Sequence, residues 1–432
     1  MTLTPGAPRF LLIAAPLALI ALWTAVSFRP RPPPIPLAHS AYLWQREWTD
    51  GVREALRRNQ PFIAEWAVLV AEVEFRAGAA PRVARVMPDY TALRESGRPV
   101  SFAIRVAPWA GSFDPDRPET GFLRQLAREL LQEARQHGIE AAALHLDFDA
   151  ATRQLDSYRH WLDALREAIT PTPLVFTALP TWLNSPAFAR LTQAADRYVL
   201  QVHSWEAPQT PDQPFTLCDP GRAKQAITRA ARLNRPFLVA LPTYGYRAWF
   251  DGQNRLLGLS AEGPALTATG GVRLREVRAD PVAMAGLVHW LETHRFEALR
   301  GVIWYRLPLP EDRLSWSEPT WQAVMRGQSP VAKTGLTLEK SANGLVELSV
   351  QADGDADSVL DTSVRLDWRQ ARLIAADGLA GFTVNRIASD TLRLQPPSQP
   401  LRLAPGQRAL IGWLRFNQPP EISAHVDTPP AP

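Results

Sequence analysis

Between residues 40 and 325, short apolar runs alternate with amphipathic stretches, and this rhythm limits the fold more than any other feature of the chain. The apolar runs are 41–48, 62–75, 100–106, 141–148, 173–179, 198–204, 236–243 and 301–306. The amphipathic stretches between them are 50–59, 89–97, 120–137, 152–169, 185–195, 220–234 and 281–294. Several helices are expected to start at a capping residue followed by proline, as at Asp219-Pro220 and Asp280-Pro281. A strand reaches a parallel neighbour only through a crossover, so strands that alternate with helices imply a parallel sheet. Eight such units match an α/β fold of the (β/α)8, or TIM, barrel type. An open doubly wound sheet would carry a glycine-rich phosphate loop after its first strand. Trp48-Thr49-Asp50-Gly51 is not such a loop, and no cofactor is implied.

Three segments fall outside this rhythm. Residues 244–279 are long for a βα loop and hold six glycines, among them the pair Gly270-Gly271. Loops on that face of a barrel build the site, so an insertion forming one wall of the cleft is expected. From about residue 329 to 432 no helical pattern appears. Short alternating runs follow the hairpin signal Asn343-Gly344, which suggests a small immunoglobulin-like β-sandwich with a loose Pro-rich tail from 419. At the other end, residues 10–28 are apolar apart from Pro16, Thr24 and Ser27. About 20 apolar residues span a bilayer, so 1–36 is read as a signal anchor with a Pro-rich spacer. That places a single-pass chain in the inner membrane with the barrel, 37–328, in the periplasm or outside; export after cleavage is the alternative.

Composition removes other classes. Hydrophobic residues make up 46% and charged residues 21%, ordinary for a globular protein. One cysteine, Cys218, excludes an intrachain disulfide framework and a cysteine-based zinc cluster. The net charge is +4, but the basic residues are scattered rather than gathered in a stripe, so nucleic acid is not an expected partner. The 15 tryptophans suit a sugar-binding cleft as well as a large aromatic core.

The chemistry concentrates on the fourth strand, Leu144-His145-Leu146-Asp147-Phe148-Asp149. Side chains alternate along a strand. If Leu144, Leu146 and Phe148 pack against helices, then His145, Asp147 and Asp149 point into the barrel, with Asp149 nearest the C-terminal rim. Barrel interiors are normally filled by branched apolar residues, and ionisable groups there are costly unless paired or useful. Two nearby carboxylates interact, so one can hold a proton near neutral pH and donate it. Other strands repeat the parity: Gln201 and His203 on the sixth, Ser101 and Arg105 on the third. Tyr244 ends the seventh strand and Trp304 lies in the eighth.

His145-Leu-Asp147-Phe-Asp149 resembles the fourth-strand signature of chitinase-like glycoside hydrolases, an Asp-x-Asp-x-Glu that ends in the acid. Gly301-Val-Ile-Trp304 resembles their last strand, whose tryptophan floors the sugar subsite. With Tyr42-Leu-Trp44-Gln-Arg-Glu-Trp48, the wider chain resembles a family of bacterial proteins of unknown function. In this chain Asp149 stands in place of the glutamate, one methylene shorter, and His145 in place of the first aspartate. The resemblance implies a hydrolase-like barrel that takes an oligo- or polysaccharide. Asp149 would be the proton donor and Asp147 its partner. His145, Arg105, Gln201, His203, Tyr244 and Trp304 would bind substrate, with Trp109 and Trp205 at neighbouring rims. A non-catalytic glycan-binding protein on the same barrel is the alternative. A third reading takes His145, Asp147 and His203 as metal ligands of a deacetylase-like hydrolase, although no resident metal is expected.

Overall fold

A computed structural model describes residues 37–204, 207–261, 271–294 and 296–427. The apolar segment 10–28 lies outside them, as do Trp205 and Glu206. Among the described residues no helix is long and apolar enough to cross a membrane.

Eight parallel strands close on themselves. They are β1 (His39–Leu43), β2 (Glu65–Glu74), β4 (Val100–Val106), β5 (Leu144–Phe148), β6 (Leu174–Ala178), β7 (Arg197–Gln201), β8 (Phe237–Pro242) and β12 (Leu299–Tyr305). Each pairs with the next in that order, and the β1–β2 and β1–β12 pairings complete the ring. One short antiparallel strand, β3 (Arg82–Arg85), extends from β2. The α-helices in the connections are α1 (Asp50–Asn59), α2 (Tyr90–Glu95), α3 (Pro118–Gln136), α4 (Leu155–Ile169), α5 (Pro186–Leu191), α6 (Pro220–Arg232), α7 (Pro281–His294) and α8 (Glu318–Met325). Capping residues fix several starts. Asp219 accepts from the backbone of Arg222, and Asp280 from Val282 and Ala283, satisfying amides that a helix leaves unpaired.

The alternation expected of the strands is present. Leu144, Leu146 and Phe148 belong to the core between barrel and helices, where Phe148 packs at 5.1 Å on Tyr158 and 5.3 Å on Trp161 of α4. The opposite faces meet in a second cluster that includes Leu69, Ala103, Val175, Val199, Leu238 and Ile303. Small residues such as Ala67, Ala103 and Ala240 leave space in that inner layer for Tyr42 and Trp44.

The insertion after β8 forms a three-stranded antiparallel sheet of β9 (Gly245–Phe250), β10 (Leu256–Ser260) and β11 (Arg273–Arg278), with β9 in the centre. Gly245 is required there: a Cβ would come within 2.6 Å of the Val277 carbonyl oxygen.

The C-terminal part is all β. One sheet orders β13 (Thr334–Lys340), β14 (Leu345–Ala352), β21 (Arg408–Phe416) and β17 (Leu373–Gly378). The other orders β18 (Thr383–Ala388), β19 (Thr391–Gln395), β16 (Val364–Arg369) and β22 (Glu421–Val426), and β15 (Ser358–Leu360) pairs with β20 (Leu401–Leu403). Val346, Leu348 and Ile411 of one sheet and Leu366, Leu392 and Leu394 of the other share one buried core, so the sheets form a sandwich. Their strand orders differ from the A-B-E-D and C-F-G orders of an immunoglobulin domain; the likeness is one of architecture. The tail is a correction. Residues 421–426 are not loose but form β22, antiparallel to β16 from Val364↔Val426 to Arg369↔Glu421. The bend before it lies at Asn417 and Gln418, ahead of the two prolines. Ile422 and Ala424 then alternate onto the core.

A chain ending at Gln418 should lose about 1–2 kcal/mol of stability, since it exposes an unpaired edge on β16 and removes two half-buried apolar side chains. Chemical denaturation measures this, and an unchanged midpoint would contradict the role given to β22.

Candidate active site

Strand register builds the site. β2, β4 and β5 set Glu72, Arg105 and Asp147 side by side near the C-terminal rim. Thr177 of β6 continues the row and donates its hydroxyl to Asp147 Oδ1 at 2.8 Å. Above the row opens a cavity of about 230 Å³. Asp147, Asp149, Arg105, Thr177, Gln201 and His203 line it, with Tyr42, Trp44, Ser204, Tyr244, Tyr246 and Tyr305. Asp147, Asp149, Arg105, Gln201, His203 and Tyr244 thus come together around one cavity. Tyr244 and Tyr246 enter from the start of the insertion, which makes it a wall of the pocket.

Burial and the neighbouring charge of Asp149 push the Asp147 carboxyl up to about 6, against the Thr177 hydrogen bond and the Arg105 guanidinium. Asp149 reaches solvent at the mouth, but the flanking walls desolvate it and raise it too, opposed by Arg105. Asp147 therefore keeps its proton well above the ordinary aspartate range. Burial drives His203 down to about 3, so its imidazole is neutral. Its Nδ1 lies 3.2 Å from Ser204 Oγ, which in turn sits 2.6 Å from the Tyr244 hydroxyl. Tyr246 closes this hydroxyl cluster at 3.1 Å from Tyr244. Ser204 holds it with φ at 59°, a left-handed backbone uncommon outside glycine.

Three of the proposed binding residues, Trp304, His145 and Trp109, lie elsewhere. Trp304 is fully buried on the outer face of β12, where its indole nitrogen donates to His39 Nδ1 at 3.2 Å and its ring packs on Trp316 and Trp321. Period-2 alternation explains this: Ile303 and Tyr305 face inward, so Trp304 cannot. Tyr305 takes the inner place, stacked 5.8 Å from His203. His145 does point into the barrel, but one layer too deep to line the cavity. Its Nδ1 meets the Tyr42 hydroxyl at 3.1 Å, and its Nε2 stands 3.8 Å from Glu65 Oε1. Glu65 also takes two contacts from Arg197, at 2.7 and 2.8 Å, and one from Ser101 at 2.5 Å. Burial alone would raise the Glu65 carboxyl; His145, Arg197 and Ser101 outweigh it and hold it at about 2. Trp109 packs on Phe75 at 5.6 Å, away from the cavity lining. Among the described residues no three His, Cys, Asp or Glu side chains converge to hold a metal ion, so His145, Asp147 and His203 do not form a ligand set.

Residues that sequence alone did not single out are Thr177, Ser204, Tyr246 and Tyr305. For Tyr305 the signal was present in the strand parity. For Ser204 and Tyr246 it was not, because loop geometry decides where they point.

Fold and pocket together define the class: a (β/α)8 barrel with an acidic, tyrosine-walled pocket at the C-terminal ends of its strands, followed by a β-sandwich. A domain of unknown function, DUF3142, matches residues 96–310, and another, DUF8456, matches 336–417. No curated protein matches. Among solved structures, a chitinase from Chromobacterium violaceum is 15% identical, with a TM-score of 0.48, over 67% of this chain and 98% of its own. The spore cortex-lytic enzyme SleL of Bacillus cereus is 15% identical, with a TM-score of 0.48, over 69% of this chain and 76% of its own. A chitinase of Flavobacterium johnsoniae is 12% identical, with a TM-score of 0.45, over 67% and 93%. At such distances the chemistry must be read from this chain's own side chains.

The raised Asp147 gives a prediction with a definite sign. Its ionised form costs the folded state stability above about pH 6. That cost fades as pH falls toward the ordinary aspartate value of about 4. Asp147→Asn should therefore stabilise the protein above pH 7, by at most about 3 kcal/mol at about 1.4 kcal/mol per pH unit. The gain should vanish near pH 4. Urea denaturation at both ends checks this, and an equal effect at both would contradict it.

Proposed function

We propose that this chain is a membrane-tethered, glycoside-hydrolase-like barrel that acts on or binds an envelope or secreted polysaccharide. What supports this most is one observation: two carboxyl groups with raised proton affinity beside a tyrosine-walled pocket. Asp149 donates its proton to the glycosidic oxygen as the bond to the anomeric carbon breaks. Asp147, ionised at that moment, stabilises the positive charge that develops on the sugar. Water adds at the anomeric carbon, and its proton returns to the Asp149 carboxylate.

Arg105, Gln201, His203 and Tyr244 hold sugar hydroxyls. Tyr305 offers the ring face first assigned to Trp304. His145 is a positioning residue that acts through the Tyr42 hydroxyl, a neighbour of the Asp147 charge. Residues 10–28 tether the chain to the inner membrane, with the barrel, 37–328, in the periplasm or outside. The sandwich, 329–432, is its accessory domain. A non-catalytic glycan binder is the second reading, favoured by Asp149 itself, which is one methylene short of a glutamate.

A positioned acid contributes about 10²–10⁴-fold in rate. Asp149→Asn should lower turnover of a cleaved polysaccharide by that factor while saccharide binding survives. Wild-type turnover should be lost at alkaline pH, as the raised Asp149 carboxyl gives up the proton it donates. A reducing-end assay over a polysaccharide panel, paired with calorimetry, measures both. Binding by a wild type that cleaves nothing would establish the second reading in place of the first.

A further inference from the structure

The acid pocket is small. At about 230 Å³ it falls below the 300–1,000 Å³ of a typical small-molecule site. It has a larger neighbour, a groove of about 830 Å³. Trp44 belongs to the lining of both. Its side chain is 2% exposed, and its indole N–H finds no acceptor among the described residues.

The groove has four walls of different origin. Arg46 comes from the loop after β1, Arg247 from the insertion, and Leu309 and Asp312 from the loop after β12. Gln399 comes from the sandwich, in the turn before β20. The sandwich is pinned there. Arg402 of β20 donates to the Arg313 carbonyl at 3.0 Å and to Asp357 at 3.2 Å. The same Asp357 carboxylate accepts the backbone N–H of Ser317, the cap of α8, at 2.9 Å. The far wall of the groove is therefore fixed against the barrel rim, and its lining is rich in side-chain donors and acceptors suited to hydroxyl groups.

Resting on the acid-site reading above, we infer that the substrate is an extended saccharide chain. One unit enters the Asp147–Asp149 pocket, the chain crosses Trp44, and the following units lie in the groove against Gln399. The sandwich is thus part of the binding site rather than a separate attachment module.

The test is a length series. Oligosaccharides of two and six units, from the β-linked glucose and N-acetylglucosamine series and the α-linked galacturonate series, are offered to the full chain, reading kcat/KM where cleavage occurs and Kd otherwise. The six-unit chain should exceed the two-unit chain of its series at least tenfold. Gln399→Trp, at an exposed position where folding is safe, should collapse that ratio toward one, and Gln399→Ala should keep most of it. Cleavage of both lengths at equal efficiency, abolished by Asp149→Asn, would overturn the groove assignment and leave the acid-site reading standing. A length dependence that Gln399→Trp leaves intact would also overturn it. No binding of any series would overturn both.

Discussion

A carboxylate inside a parallel barrel has to be stabilised by what the strand register sets beside it, and Asp147 is the group on which this site depends. Its neighbours across the sheet are Arg105 on one side and Thr177 on the other, and Glu72 follows Arg105. Arg105 does not neutralise it outright, because Glu72 draws on the same guanidinium at 3.8 Å. The Thr177 hydrogen bond favours the charged form, while burial and Asp149 favour the neutral one. The result is a carboxyl left near neutrality rather than locked in an ion pair, which is the condition for moving a proton.

One layer deeper the same barrel solves the opposite problem. Glu65 is held ionised by Arg197, Ser101 and the nearby His145. Such a pair is weak evidence for stability in itself, but removing one partner would leave a buried charge uncompensated. Its consequence is orientation. With Glu65 below it, His145 presents Nδ1 to the Tyr42 hydroxyl, and Tyr42 reaches the pocket. The interior therefore has two electrostatic levels, a fixed lower one and a titratable upper one, joined by a tyrosine.

Much of this was legible in the chain because two periodicities do most of the building. The eight strands and the helices 50–59 and 281–294 follow from apolar spacing alone, and so does the inward facing of Asp147, Gln201 and His203. Parity also sends Trp304 outward. Its assignment to the pocket came from motif likeness, and the alternation of Ile303, Trp304 and Tyr305 contradicts that assignment. Depth was not legible: His145 and Asp147 share a face, but only the register against Tyr42 and Arg105 decides which reaches the cavity. Strand β22 was hidden by the prolines before it, since pairing with β16 is a long-range choice that a local pattern does not contain.

The central claim is that Asp147 and Asp149 line one desolvated pocket, where burial and the charge of Asp149 raise the Asp147 carboxyl. The most direct measurement is the pH titration of their carboxyl carbon resonances by NMR. A midpoint near 6 for Asp147, displaced downward when Asp149 is changed to asparagine, is the predicted result. Two independent aspartates that titrate near 4, with no influence of one on the other, would contradict the account.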